Sequence, residues 1–153
     1  MKANIKWVVI AWLTAGAIDI LSAILILGKG NALGVLKYVA SGLIGKSAFE
    51  PGVQTAFLGL GVHFFVAAFW TLIYYSFYFK VGFDRLPFWI SAPMTGLFIF
   101  LMMGFVINPS ISQVAPRKPF TVSQLPNMAL NAFILAYAFG GTLKYFASKV
   151  YSS

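Results

Sequence analysis

Cysteine is absent from the 153-residue chain, and acidic residues are nearly absent, since only Asp19, Glu50 and Asp84 carry a carboxylate. Without thiols the chain can form no disulfide, no thiolate metal site and no cysteine nucleophile. His63 is the single histidine, and no zinc signature, phosphate-binding loop or nucleophile, base and acid set occurs. We therefore expect no metal, no cofactor and no enzyme activity.

Charge of either sign is also scarce, because only 9% of the residues are charged while 60% are hydrophobic. A chain of this length that is so apolar is typical of a bilayer protein and not of a water-soluble domain. The net charge of +8 results from the shortage of acids. The scattered basic residues are typical of helix ends that contact lipid headgroups, so we expect the lipid bilayer as a partner and no nucleic acid.

Four apolar stretches account for most of the length, and a helix needs about 20 residues to cross a bilayer. They cover residues 5–27, 53–79, 86–107 and 127–149. The sequence therefore predicts an all-α membrane protein, a single domain over residues 1–153, with four transmembrane helices in an antiparallel bundle. Four crossings place both termini on one side, where basic residues are slightly more numerous, which weakly favours cytoplasmic termini.

The connections differ in character. Residues 31–50 carry an apolar stripe that includes Leu33, Leu36 and Leu43, whereas Lys37 and Ser41 lie off it. The segment is too short to span, so we predict an amphipathic helix in the membrane interface, with a re-entrant segment as the alternative. Residues 108–126 form a polar, proline-bearing loop outside the hydrocarbon.

Near the end of the second helix, three tyrosines and a lysine predict an aromatic belt at the headgroup level: Tyr74, Tyr75, Tyr78 and Lys80.

Asp19 is a carboxylate near the middle of the first apolar run. Helical spacing gives it a face of mostly small neighbours: Trp12, Ala15, Gly16, Ser22, Ala23 and Ile26. Small residues let a neighbouring backbone approach, so this face is expected to contact protein and not lipid. An ionisable group inside a membrane is costly and typically functional.

His63 occurs several residues into the second helix, on the same half of the membrane as Asp19. At about 1.5 Å per residue the two differ in depth by only about 5 Å. We expect a contact between them, which would be charge-assisted and would form a proton-binding group. The alternative is structural, in which Asp19 holds the bundle together through a buried hydrogen bond.

Other polar residues are expected on the same half of the bundle and predict a polar vestibule: Ser22, Glu50, Asn108, Asn127 and Asn131. Its closed end is predicted to contain large aromatic side chains: Trp12, Trp70 and Tyr74. Helix capping is an alternative role for Asn108 and Asn127.

Two segments resemble a known family. Asp19 in a first helix rich in small residues, followed by residues 39–49 (VASGLIGKSAF) and 55–65 (TAFLGLGVHFF), resembles the small bacterial inner-membrane proteins of the YagU-like type over about the first half of the chain. The resemblance implies a bacterial inner-membrane location, with five residues at characteristic positions: Asp19, Gly45, Ala48, Phe49 and His63. It implies no specific activity.

Two functions follow as hypotheses. The first is an integral membrane protein that binds or conducts a small solute or proton through the vestibule. The alternative is a structural or accessory subunit that packs against a partner membrane protein, which the 18% aromatic content and the glycines of the second and fourth helices favour. The same features fit a homo-oligomer.

Overall fold

The computed structural model describes residues 3–107, 130 and 133–151, and these residues are helical with no strand among them. Helix α1 is Ile5–Ser22 and continues as the π-helical stretch Ala23–Leu27. Helix α2 is Ala32–Ile44 and continues as the 3-10 turn Gly45–Phe49. Helix α3 is Gln54–Phe77. Helix α4 is Phe88–Leu101 and continues as the π-helical stretch Met102–Ile107. Helix α5 consists of the π-helical stretch Leu135–Gly140 followed by the α-helical stretch Gly141–Val150. The predicted all-α class is confirmed for this part of the chain.

Three helices are long and apolar enough to cross a membrane: Ile5–Leu27, Gln54–Phe77 and Phe88–Ile107. Their ends lie within two residues of the ends expected from the sequence. The fourth expected crossing, residues 127–149, begins outside the described residues, and α5 is its described part. The polar loop expected at residues 108–126 also lies outside them.

Short-range chemistry explains where the first two helices begin and end. Side-chain oxygens cap both N-termini, since Asn4 accepts from the Lys6 amide at 3.2 Å and Asn31 accepts from the Gly34 amide at 2.8 Å. Helix α2 ends at Gly45, whose φ of +66° is a conformation that favours glycine. Positive φ values at Lys29 and Gly30 shape the short turn between α1 and α2.

The helices pack in the spatial order α2, α3, α1, α5, α4. Helix α3 lies against α1, α1 lies against α5, and α5 lies against α4, while α2 packs on α3. The Asn4 amide donates to the Val150 carbonyl at 2.7 Å, so the described N- and C-terminal ends meet. We call this end of the molecule, together with the turn at residues 78–87, the terminal end.

Small residues allow the closest approaches. A Cβ atom on Gly96 would lie 2.1 Å from the Cα atom of Ala136, so α4 and α5 touch backbone to backbone. A Cβ atom on Gly59 would lie 1.9 Å from the Leu36 carbonyl oxygen, which brings α2 equally close to α3. Such contacts are the usual way in which helices pack within a membrane.

The main hydrophobic core lies toward the terminal end and is rich in aromatic side chains. Tyr74, Tyr75 and Tyr78 are buried in it, together with Trp70 and Leu143. These three tyrosines are buried against the other helices, so they do not form a lipid-facing part of the predicted aromatic belt. The Tyr75 hydroxyl donates to the Leu143 carbonyl at 2.9 Å and so ties α3 to α5.

Helix α2 packs with its polar side inward. Lys37 and Ser41 are buried, whereas Leu33 and Leu43 are about half exposed. Leu33 and Leu43 of the apolar stripe therefore lie on the outer side, whereas Leu36 of the same stripe is half-buried against α3. The Lys37 ammonium lies against the turn that follows α2. A helix with this pattern is suited to a lipid environment, where the exposed leucines contact acyl chains.

Candidate functional site

The carboxylate of Asp19 lies on the face of α1 that packs against other helices. Ala15 and Gly16, one turn before it, are buried, and so is the adjacent Ile20. Asp19 itself is partly buried. The small residues near Asp19 allow α3 to pack closely against α1. At Gly16, for example, an added Cβ atom would lie only 2.9 Å from the Phe64 ring of α3.

His63 lies at the centre of the packed face of α3. Gly59 and Ala67, one turn to either side of it, are buried. Its Nε2 atom is 2.9 Å from the carbonyl oxygen of Gly16 in α1. A carbonyl can only accept, so this nitrogen carries the proton and donates it. The second ring nitrogen, Nδ1, is then the atom at which the imidazole gains or loses a proton.

The hydrogen bond places the imidazole beside Asp19. Helix carbonyls point toward the residue four positions on, so the Gly16 oxygen is directed toward the level of Asp19 and Ile20. The His63 ring and the Asp19 carboxyl group interact electrostatically. Between described residues, however, the one recorded ion pair is Asp84 with Arg85, and Asp19 has no hydrogen bond to His63. The two groups lie near each other without a direct bond.

Aromatic side chains continue this face toward the terminal end. The Trp12 indole Nε1 donates to the Phe64 carbonyl at 2.8 Å, which gives α1 and α3 a second cross-link. Trp70 and Tyr74 are each only 4% exposed. The indole nitrogen of Trp70 and the hydroxyl of Tyr74 have no hydrogen-bond partner in the described structure. The closure of a vestibule by these three residues stays a prediction.

The other residues of the predicted vestibule are only partly described. Ser22 is half-buried at the end of α1, one turn beyond Asp19. Glu50 is exposed, and its backbone carbonyl, not its carboxylate, makes the recorded bond. Asn108, Asn127 and Asn131 lie outside the described residues. The vestibule as a whole stays a prediction.

Sequence reasoning missed the role of Lys37. Its side chain is 8% exposed, and its ammonium donates to the Glu50 carbonyl at 2.6 Å. This bond ties α2 to the segment that leads into α3. The signal in the sequence was weak, because a backbone carbonyl is a partner that no side-chain pattern identifies.

The described residues contain no group of three or more side chains that could hold a metal ion. With one imidazole and one carboxylate near each other, the site is suited to holding and moving a proton. No protein-family model, curated protein or solved structure matches the chain.

Proposed function

We propose that this chain is a four-helix integral membrane protein that binds protons at Asp19 and His63 and conducts them, or a small solute coupled to them. The observation that carries the proposal is the placement of both groups on the packed faces of two neighbouring helices without a direct bond. Ionisable groups so placed inside a membrane mark ion and proton pathways.

A fourth crossing by residues 127–149 completes this arrangement. It is supported by α5, which packs between α1 and α4, and by the bond between Asn4 and Val150. An even number of crossings brings the two ends of a chain together in this way.

The terminal end is proposed to face the cytoplasm of a bacterium. Five described basic residues lie there: Lys6, Lys80, Arg85, Lys144 and Lys149. Positive residues favour the cytoplasmic side of a membrane. The bacterial inner membrane is the location that the YagU-like resemblance implies.

A purely structural role for Asp19 is the main competing explanation, and the bonding argues against it. A carboxylate that holds helices together must accept hydrogen bonds from them. Among the described residues the Asp19 carboxylate accepts none, whereas His63 and Trp12 each donate to a backbone carbonyl across the interface of α1 and α3. The cross-links are therefore made by the donors around Asp19, and its carboxylate is left available for a proton.

Proton transfer between Asp19 and His63 requires only one bridging molecule. A gap between the carboxylate and the Nδ1 nitrogen can be closed by a water molecule, and transfer through one water is an accepted geometry for acid and base groups. A proton on either group favours release from the other, since the two interact electrostatically. The pair can then alternate between accepting a proton and releasing it.

A flux assay tests the proposal. The purified chain is reconstituted into liposomes that enclose a pH-sensitive dye, and a potassium diffusion potential drives protons inward. We expect Asp19→Asn and His63→Gln each to lower the flux by at least about tenfold, because each removes one proton-exchanging group. The Thr14→Val variant, which removes a polar group on the opposite side of α1, is the matched control and should retain the flux.

Folding is checked by thermal unfolding in detergent, where Asp19→Asn should leave the midpoint nearly unchanged. Full flux in a folded Asp19→Asn protein would contradict the proposal. Native mass spectrometry of the same samples tests the alternative, because an accessory subunit should retain a stoichiometric foreign chain, whereas a homo-oligomer or monomer should not.

A further inference from the structure

A cavity of about 410 Å³ lies at the terminal end, away from Asp19 and His63. The end of α3, the turn that follows it and the last turns of α5 line this open cavity. Six of its lining residues carry the inference: Tyr78, Phe79, Asp84, Lys144, Ser148 and Tyr151. The cavity therefore combines one cation, one anion and three aromatic rings.

The cation is fixed in place from one side. The Lys144 ammonium donates to the Tyr78 hydroxyl at 3.1 Å and to the Phe83 carbonyl. An ammonium has three donors, so one remains for a further acceptor. Neither of its partners is charged, and the positive charge at the cavity is not neutralised by them.

The anion of the cavity does not pair with this cation. The one ion pair recorded for Asp84 is with Arg85, at a long 3.9 Å, and the Arg85 side chain is 89% exposed. Such an exposed pair is weak. Asp84 and Lys144 thus line the same cavity as opposite charges that do not pair with each other.

The hydroxyl of Tyr151 is not a second anion. Burial, together with the neighbouring Tyr78, raises the pKa of Tyr151 above its ordinary value, so the phenol is neutral at physiological pH. The hydroxyl donates to the Tyr75 carbonyl. Asp84 therefore supplies the negative charge that a positively charged ligand group would meet.

The aromatic rings form a compact group beside these charges. The ring centroids of Phe79 and Tyr151 are 4.6 Å apart, and Tyr78 stacks on Tyr151 at 5.3 Å. Aromatic faces attract ammonium groups, and groups of rings are the usual recognition element for them. The Lys144 ammonium lies 5.1 Å from the Tyr78 ring centroid, so the rings of Phe79 and Tyr151 are the ones that favour a ligand ammonium.

The position of the cavity indicates where its ligand comes from. It lies just beyond Phe77, the last residue of a helix able to cross a membrane. Lysines surround this end and lie over aromatic rings, as Lys149 does over Trp7 at 4.7 Å and Lys80 over Phe77 at 5.2 Å. Lysine and aromatic side chains together are typical of the headgroup level of a bilayer.

We infer that this cavity binds a phosphoethanolamine group, with the phosphate at Lys144 and Ser148 and the primary ammonium at Asp84 and the aromatic rings. A zwitterion of this kind is the chemistry that gives both charges of the cavity a partner of opposite sign at once. A phospholipid headgroup is the source that the depth of the cavity favours, and a soluble phosphoethanolamine ester is the other source of the same group.

Native mass spectrometry of the full chain in detergent tests the inference, with phosphatidylethanolamine and phosphatidylglycerol added in equal amounts. Both lipids carry a phosphate, but only the first carries an ammonium. We expect more phosphatidylethanolamine adducts on the wild-type chain, and we expect Asp84→Asn to lower the ratio of the two adducts by about fivefold, since exposed ion pairs have this order of strength. Lys80→Gln, which removes a charge from the same end outside the cavity, should leave the ratio unchanged.

Asp84→Asn decides the outcome, because Lys144 also holds the turn at Phe83 and its loss could disturb folding. An unchanged ratio in Asp84→Asn, or equal adducts on the wild-type chain, would overturn the inference. A parallel sample with soluble glycerophosphoethanolamine separates the sources: an adduct that Asp84→Asn abolishes would assign the site to a soluble ester, and its absence beside a lipid adduct would assign it to the bilayer.

Discussion

At the scale of single residues, the glycines of α3 offer the sharpest test of the packing. Gly59 and Gly61 are two positions apart in the same helix, but only Gly59 faces another backbone, since nothing lies within 4 Å of a Cβ added at Gly61. We expect Gly59→Ala to destabilise the protein by about 1–3 kcal/mol, the usual cost of overpacking, because the Leu36 carbonyl cannot move without α2.

The measurement is the thermal unfolding midpoint in detergent, with Gly61→Ala as the matched control. The control should be neutral or slightly stabilising, because alanine favours a helix more than glycine does. Equal midpoints for the two variants would show that α2 does not pack against α3 at Gly59.

The same scale shows which parts of the site could be predicted from the sequence. Asp19 was assigned to a packed face because its neighbours at helical spacing are small, and small residues mark helix contacts in membranes. The bond from His63 goes to the Gly16 backbone, which no side-chain pattern reveals. The similar depth of Asp19 and His63 in the membrane was enough to predict that they lie near each other. The structure was needed to identify Nδ1 as the His63 nitrogen that exchanges a proton.

At the scale of elements, α2 is the helix whose role changes most. Leu33 and Leu43 face outward and Lys37 is buried, so α2 is held by a polar contact as well as by packing. We expect Lys37→Met to free the segment 45–53, because the methionine keeps the stem of the side chain but loses the bond to the Glu50 carbonyl.

Hydrogen exchange measured by mass spectrometry checks this. Amide exchange in peptides that cover residues 45–53 should become faster in Lys37→Met, by about fivefold for a bond with a net strength of about 1 kcal/mol. Lys46→Met is the control, since Lys46 is an exposed lysine of the same segment. Equal exchange in both variants would mean that the Lys37 bond does not restrain the segment.

Helix positions were more predictable than helix faces, and the reason is physical. Apolar length and breaking residues such as Gly28 and Pro87 set where each helix begins and ends. Which side of an apolar helix contacts protein is poorly encoded, because lipid tails and a protein interior are equally apolar. The tyrosines near the end of α3 illustrate this, since amphipathic rings suit a headgroup belt and a buried core alike.

At the scale of the whole molecule, the proposed four crossings make a prediction about labelling that the natural absence of cysteine allows. Single cysteines can be introduced at exposed positions of the two ends: Ala3, Val81 and Lys46. Ala3 and Val81 lie at the terminal end, whereas Lys46 lies between α2 and α3 at the opposite end.

With a cytoplasmic terminal end, a membrane-impermeant maleimide added to bacterial spheroplasts should label Lys46→Cys, and it should label Ala3→Cys and Val81→Cys only after permeabilisation. The cysteine-free wild-type chain is the background control. Placing a cysteine at Ser148 then tests the fourth crossing, because α5 returns the chain to the terminal end and Ser148→Cys should behave as Ala3→Cys does. Labelling of Ser148→Cys together with Lys46→Cys would contradict the fourth crossing, since the two positions would then share one side of the membrane.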